Sequence, residues 1–165
     1  MPGELEDVMK RFLAGVYRLN ISFQVIAGIG LVFMIVVTLA DITMRAFGRP
    51  IIGAVELICF SGAVIIGFAL PYSSWMRAHV MVDFLVERLP PAGRRVVAFA
   101  TRLVGFTLFM FMGVNFILYG LTLAKTGEVS PGFRIPYYPI TFGLALACFV
   151  ESLTLFTQIW RCRHE

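Results

Sequence analysis

Few residues in this sequence are of the types that carry chemistry, and their spacing builds no recognisable reactive site. The three cysteines, Cys59, Cys148 and Cys162, include no C-x-x-C pair, so no metal or thiol-redox centre is indicated. His79 and His164 are the only histidines, so a bis-histidine haem bundle has no ligand set. No phosphate-binding loop, nucleophile elbow or zinc-binding helix occurs. The sequence therefore predicts a protein that is not an enzyme and that holds no cofactor and no metal.

The composition of the chain indicates what kind of secondary structure positions these residues, because it is unusually apolar. Of 165 residues, 59% are hydrophobic and 15% are charged, and 16 are Phe. A soluble domain of this size has about 25% charged residues, so this composition argues against a soluble enzyme and favours a small polytopic membrane protein. Dense Lys/Arg runs are absent from the sequence, which excludes nucleic acid as a partner.

Four apolar runs are long enough to cross a bilayer, since a span needs about 20 residues. We expect an all-α integral membrane protein, because lipid offers no partners to free backbone groups. It forms a single membrane domain over residues 1–165. A short amphipathic helix in the middle loop, stopped by Pro90 and Pro91, is expected on the membrane surface or against a partner. The predicted spans are 20–43, 55–75, 96–124 and 137–160, and the predicted amphipathic helix is 76–89.

The distribution of basic residues predicts the orientation of the chain. With four spans, both termini and the middle loop share one side of the membrane. Ten of the 14 Lys and Arg residues lie on that side, and four lie in the first and third loops. Because Lys and Arg collect in cytoplasmic loops, both termini are predicted to be cytoplasmic.

Polar residues form a stripe along the otherwise apolar first span. A stripe of this kind marks a helix–helix contact, either within the chain or with another chain. Asp41 and Arg45 are four residues apart and can form an ion pair near the outer interface, or serve an intersubunit role. The stripe comprises Asn20, Gln24, Gly28, Thr38 and Arg45, with Asp41 at its margin.

The later spans also place polar groups beside small residues. Glu56 opens the second span, where the helix dipole favours a carboxylate, and Ala63 and Gly67 follow it as a close-packing face. Glu151 follows Gly143 and Ala147 at four-residue steps, so it is expected to face protein and not lipid. Glycines 105, 113 and 120 lie roughly on one side of the third span, in which Asn115 is the main deep polar residue. These patterns favour packing over a central transport site.

Three short segments carry a family resemblance. Residues 41–45, 48–50, Gly53 and Glu56 resemble the first outer loop of the small membrane subunit of tripartite ATP-independent periplasmic (TRAP) transporters. Residues 79–83 and 89–90 resemble its middle loop, and residues 127–136 its last outer loop. The family often has Trp where this chain has Tyr119 and Tyr137, but both substitutions keep an interfacial aromatic residue.

The resemblance implies a non-catalytic subunit in a bacterial inner membrane. It would scaffold a large many-span membrane subunit that carries the substrate and sodium sites, while a periplasmic substrate-binding protein delivers an organic acid. Membrane lipid is the remaining partner. The residues expected at subunit interfaces or in structural roles are Asn20, Gln24, Asp41, Arg45, Glu56, His79, Asp83 and Glu151.

The two outer loops are expected to help form the docking surface for the binding protein, or else to make tight turns only. The candidate docking residues are Arg49, Pro50, Glu128, Ser130 and Pro136. The alternative function is a self-sufficient small transporter or channel working as an oligomer. A membrane-embedded electron-transfer subunit is a third class, which a haem or flavin absorption spectrum would reveal.

Overall fold

The computed structural model describes residues 2–76 and 91–164, which form four long helices. These are α1 (Pro2–Ala46), α2 (Ala54–Trp75), α3 (Pro91–Thr126) and α4 (Tyr138–His164). Each contains a stretch long and apolar enough to cross a membrane, which confirms the predicted all-α membrane fold. The amphipathic helix predicted over 76–89, with His79 and Asp83, lies outside the described residues except at Met76.

Helix α1 extends far beyond the predicted first span. Its 45 residues make a rod about 67 Å long, roughly twice the thickness of the hydrocarbon core. The segment before the predicted span is rich in Glu, Leu, Lys and Arg, which are strong helix formers. The helix therefore continues through the polar N-terminal residues, although hydropathy marks only the apolar part.

Helix α4 occupies the centre of the bundle. It packs along α3 on one side and α2 on the other, and α1 packs along α2 and touches α4 more lightly. Half of the most apolar stretch of α4 is buried, against 11% in α1 and in α3. A small core of Phe23, Ala147 and Val150, with Phe68 stacked on Phe23 at 4.5 Å between ring centroids, joins α1, α2 and α4. The outer helices consequently present long faces to their surroundings.

Glycines allow the helices to approach closely, as their spacing predicted. A Cβ atom at Gly67 of α2 would come within 2.6 Å of Leu144 Cδ2 on α4. Three glycines of α3 each receive a large side chain of α4, and a Cβ atom there would come within 3.1–3.2 Å of it. The pairs are Gly105 with Leu155, Gly113 with Phe149 and Gly120 with Phe142.

Two short loops close the end of the bundle opposite the termini. The first loop, residues 47–53, contains Gly48 at φ 73° and Gly53 at φ 84°. The second loop, residues 127–137, contains a bridge between Val129 and Pro136, in which the Ser130 N–H donates to the Ile135 carbonyl at 2.9 Å. Both loops contain glycine and proline, which favour turns.

Candidate functional site

Polar side chains of the described helices and loops form two networks at opposite ends of the bundle. The first lies near the ends that carry the termini, where the rings of Tyr17 and Trp75 meet at 5.8 Å. We call it the termini-side network, and it consists of Asn20, Ser74, Glu151, Thr154 and Gln158. The second lies beneath the two loops. We call it the loop-side network, and it consists of Asp41, Arg45, Glu56, Ser130 and the backbone N–H groups of Ile51, Gly132 and Phe133.

In the termini-side network, one pair of side chains joins α1 to α4. The Asn20 amide Nδ2 donates to Thr154 Oγ1 at 3.1 Å, and both residues are fully buried. The Thr154 hydroxyl in turn lies 2.9 Å from the Val150 carbonyl of its own helix. Because hydrocarbon offers no hydrogen-bond partners, this mutual satisfaction holds the two helices in one register.

A second set of contacts in this network joins α2 to α4. The Ser74 hydroxyl donates to Glu151 Oε1, and Gln158 Nε2 donates to the Ser74 carbonyl at 2.6 Å. Glu151 is only 2% exposed, so it faces protein as its spacing predicted. The Gln158 amide also satisfies a carbonyl in the last turn of α2, where helices leave carbonyls without internal partners.

In the loop-side network, Asp41 holds the first loop. Its Oδ2 accepts from Arg45 Nη2 at 2.6 Å, which is the expected pair at positions i and i+4. Its Oδ1 accepts from the Ile51 backbone N–H at 3.2 Å. The carboxylate is nearly buried, whereas the Arg45 side chain is 61% exposed. Asp41 therefore fixes the loop backbone and also stabilises the end of α1.

Glu56 holds the second loop against the start of α2. Its carboxylate accepts from the Ser130 hydroxyl, from the Gly132 N–H at 2.8 Å and from the Phe133 N–H at 3.2 Å. Asp41 and Arg45 thus pair with each other, while Glu56 bonds to the second loop. Glu56 lies in the first turn of α2, where the helix dipole favours a carboxylate, as expected from the sequence. It also bonds to residues of the second loop.

A close approach of Gly53 and Phe133 connects the two loops. Gly53 adopts a left-handed φ of 84°, which side chains disfavour. A Cβ atom at Gly53 would lie 2.6 and 2.8 Å from two carbons of the Phe133 ring. The ring therefore sits on the backbone of the first loop, and the two loops form one continuous surface.

That loop surface carries exposed positive charge. Asp41 and Glu56 turn inward to hold the loops, while four basic residues and Glu128 remain exposed. Phe47 and Ile52 add apolar area, with 78% and 80% of their surfaces exposed. The exposed basic residues are Arg45, Arg49, Lys125 and Arg134.

The residues predicted from the sequence to be structural or to form the docking surface fall into buried and exposed groups in the structure. Among the candidate structural residues, Asn20 and Glu151 are buried in the termini-side network, and Gln24 is exposed on α1. Among the candidate docking residues, Arg49, Pro50 and Glu128 are exposed, whereas Ser130 is buried and Pro136 is half-buried in the bridge.

Sequence reasoning missed several members of the networks. Ser74 lies at the end of α2 and Gln158 in the last two turns of α4, where polar residues are ordinary, and Thr154 lies one turn before Gln158. One signal was available, because Glu151, Thr154 and Gln158 follow the spacing i, i+3 and i+7 and so share a helix face. No signal identified the N–H groups of Gly132 and Phe133.

Neither network, in the part of the chain that the structure describes, groups the side chains that a metal ion needs. Among the described residues, no three His, Cys, Asp or Glu side chains lie where they could hold a metal ion. The carboxylates of Asp41, Glu56 and Glu151 accept hydrogen bonds from other parts of the chain. These hydrogen bonds fix the helices and loops in place.

A family model described as "Tripartite ATP-independent periplasmic transporters, DctQ component" matches residues 34–164. The match covers well over half of the chain, so the chain belongs to the family of small membrane subunits of TRAP transporters. No curated protein and no solved structure matches it. Membership implies partnership with a large membrane subunit and a binding protein.

Proposed function

We propose that this chain is the non-catalytic scaffold of a sodium-gradient-driven importer of organic acids in a bacterial inner membrane. Both termini are cytoplasmic, and the large partner subunit carries the substrate and the coupling ions. One observation supports the scaffold role above all. The buried polar side chains Asn20, Ser74 and Glu151 join helices of the same chain to one another, so they serve packing.

The continuity of the helices supports the same proposal. Carriers usually place their sites at broken helices or at several charges near the bilayer centre. Helices α1 to α4 are continuous over their described lengths, and Pro71 lies within two turns of the end of α2. In this proposal Asn20 and Glu151 stabilise the bundle, while His79 and Asp83 contribute to contacts with the large subunit.

The loop surface is proposed as a docking site for the periplasmic binding protein. Arg49, Pro50 and Glu128 are exposed on it, and Ser130 and Pro136 shape the second loop. Asp41 and Glu56 fix its geometry from beneath, and Arg45 pairs with Asp41 at the surface. Its positive charge suits an acidic patch on a soluble partner, since complementary charge raises association rates.

Reconstitution of the three components in liposomes tests the scaffold proposal. The chain alone is expected to give no uptake of an organic acid under a sodium gradient. The chain with its large subunit and binding protein is expected to restore uptake. Uptake by the chain alone would overturn the proposal in favour of the self-sufficient oligomeric transporter.

Charge reversal tests the docking proposal. Arg49→Glu is expected to slow association of the binding protein with the complex in nanodiscs, and this effect is expected to shrink in high salt. Arg11→Glu, an exposed change at the opposite end of the bundle, is the matched control and should leave association unchanged. Normal binding and uptake by the Arg49→Glu variant at normal expression would contradict the docking role.

A further inference from the structure

The two outer helices of the bundle present surfaces of different character. The outward face of α1, opposite its contacts with α2 and α4, is aliphatic through the middle of the membrane, with exposed Ser22 and Thr43 only toward the ends of the span. Its exposed members include Val25, Ile29, Val32 and Val36. Such a face is well solvated by lipid tails, which need no hydrogen bonds.

The outward face of α3 carries hydrogen-bonding side chains instead. Thr107, Asn115 and Thr122 are all exposed, and at 100° per residue they lie within about 80° of one another around the helix. This stripe lies opposite the glycine face that packs on α4. The two threonine hydroxyls donate to carbonyls of their own helix, at 3.0 Å each.

Asn115 is the residue that lipid would tolerate least. The apolar stretch of α3 runs from Phe99 to Thr126, which puts Asn115 about 4 Å from its midpoint. Its Nδ2 donates to the Phe111 carbonyl at 2.8 Å. A side-chain amide has two donor hydrogens and a carbonyl oxygen with two lone pairs, so one bond uses a small part of this capacity. Burying polar capacity in hydrocarbon is costly unless protein supplies the partners.

We propose that this face of α3, centred on Asn115, is the surface that contacts the large subunit, and that α1 faces lipid. The proposal rests on the proposed scaffold function. The occupant is a membrane helix with a hydrogen-bonding side chain opposite Asn115. The exposed side chains of Phe111 and Leu118 flank Asn115 on α3. The partner helix therefore carries small residues at the positions that these two side chains contact.

Gln24 on α1 is also exposed, so it could instead indicate that α1 contacts the large subunit. It lies seven residues from Tyr17, whose ring pairs with Trp75 at the termini end, and is therefore only about 10 Å from that end. Gly28 and Leu31 follow it toward the bilayer centre along the same side of the helix. A long amide side chain at this depth can reach toward the interface, whereas the short Asn115 at the centre cannot.

Site-specific photocrosslinking in the assembled complex tests the orientation. A photoreactive amino acid at Phe111 or Leu118 is expected to crosslink to the co-expressed large subunit, and one at Ile29 or Val32 is not. Crosslinks from α1 without crosslinks from α3 would overturn the proposal while leaving the scaffold function intact. If the two chains do not co-purify even without substitution, it is the scaffold function that fails.

Matched substitutions test the role of Asn115 itself. Asn115→Leu is expected to weaken association with the large subunit about threefold to thirtyfold, in line with interhelical hydrogen bonds in membranes. Gln24→Leu should leave it within about twofold. Asn115→Leu removes an exposed polar group from an apolar helix, so the isolated chain should retain its helicity by circular dichroism. Equal affinities for Asn115→Leu and the unmodified chain, or a larger loss from Gln24→Leu, would overturn the proposal.

Discussion

The two polar networks use the same residue types for different purposes. In the termini-side network, side chains bond mainly to side chains, and Asn20, Ser74 and Glu151 join one membrane helix to another. In the loop-side network, the carboxylates of Asp41 and Glu56 accept from backbone N–H groups of loops. The first network therefore sets how helices assemble, and the second sets the shape of an exposed surface.

This difference separates stability from recognition. A change in the termini-side network removes a bond where neither water nor lipid can replace it, so the whole bundle is affected. A change in the loop-side network lies next to solvent, so the loops can rearrange while the helices persist. The two ends of the molecule are therefore expected to respond differently to matched substitutions.

The largest effect is expected from Ser74→Ala. The variant removes the hydroxyl that donates to the buried Glu151, and the loss of one partner of a buried hydrogen bond costs about 1–3 kcal/mol. The free energy of unfolding in detergent should fall by about this amount, and the yield of the assembled complex with it. The adjacent, half-buried Ser73 provides the control, because Ser73→Ala should change stability much less. Equal losses from the two variants would show that the network does not set bundle stability.

The sequence predicts features that depend on spacing within one helix better than it predicts contacts between distant parts of the chain. Four apolar runs predict four helices, and the spacing of Gly105, Gly113 and Gly120 predicts that they share one side of α3, which in the structure is the side that packs on α4. The burial of Glu151 is predictable because it follows Gly143 and Ala147 on one helix face. These features depend on periodicity within one helix, and the sequence displays that periodicity directly.

The contacts of Glu56 could not be predicted in the same way. Its partners lie more than 70 residues later in the chain, and two of them are backbone N–H groups that any residue could provide. Gly53 suggests a turn, but it does not indicate that the Phe133 ring will rest on it. The loop surface depends on tertiary approach, for which this sequence has no local pattern.

An intermediate effect, confined to the loops, is expected from Gly53→Ala. An alanine at left-handed φ costs about 1–2 kcal/mol, and its Cβ would also collide with the Phe133 ring. Amide hydrogen exchange in residues 127–137 should accelerate, and association of the binding protein should weaken. Unfolding of the helices should be little changed.

Gly48→Ala is the matched control for that variant. Gly48 has a similar φ of 73°, but a Cβ atom there meets nothing within 4 Å. Both alanines bear the backbone cost, so the difference between them measures the contact between the loops. Equal exchange in residues 127–137 for the two variants would contradict a single surface built from both loops.

The smallest effect is expected from Arg45→Met, which keeps most of the side-chain length and removes the charge. The Arg45 side chain is largely exposed, so water and salt screen its attraction to Asp41. Asp41 still accepts from the Ile51 N–H, and that bond holds the first loop. Exchange of the amides in residues 47–53 should therefore rise only a few-fold, and less at high salt. An Asp41→Asn variant, whose Oδ1 can still accept from Ile51, should behave similarly. Complete loss of amide protection in residues 47–53 of the Arg45→Met variant would mean that the ion pair, and not the bond from the Ile51 N–H to Asp41, fixes the first loop. Asp41 would then not act through a carboxylate–backbone bond, which is the feature that distinguishes the loop-side network.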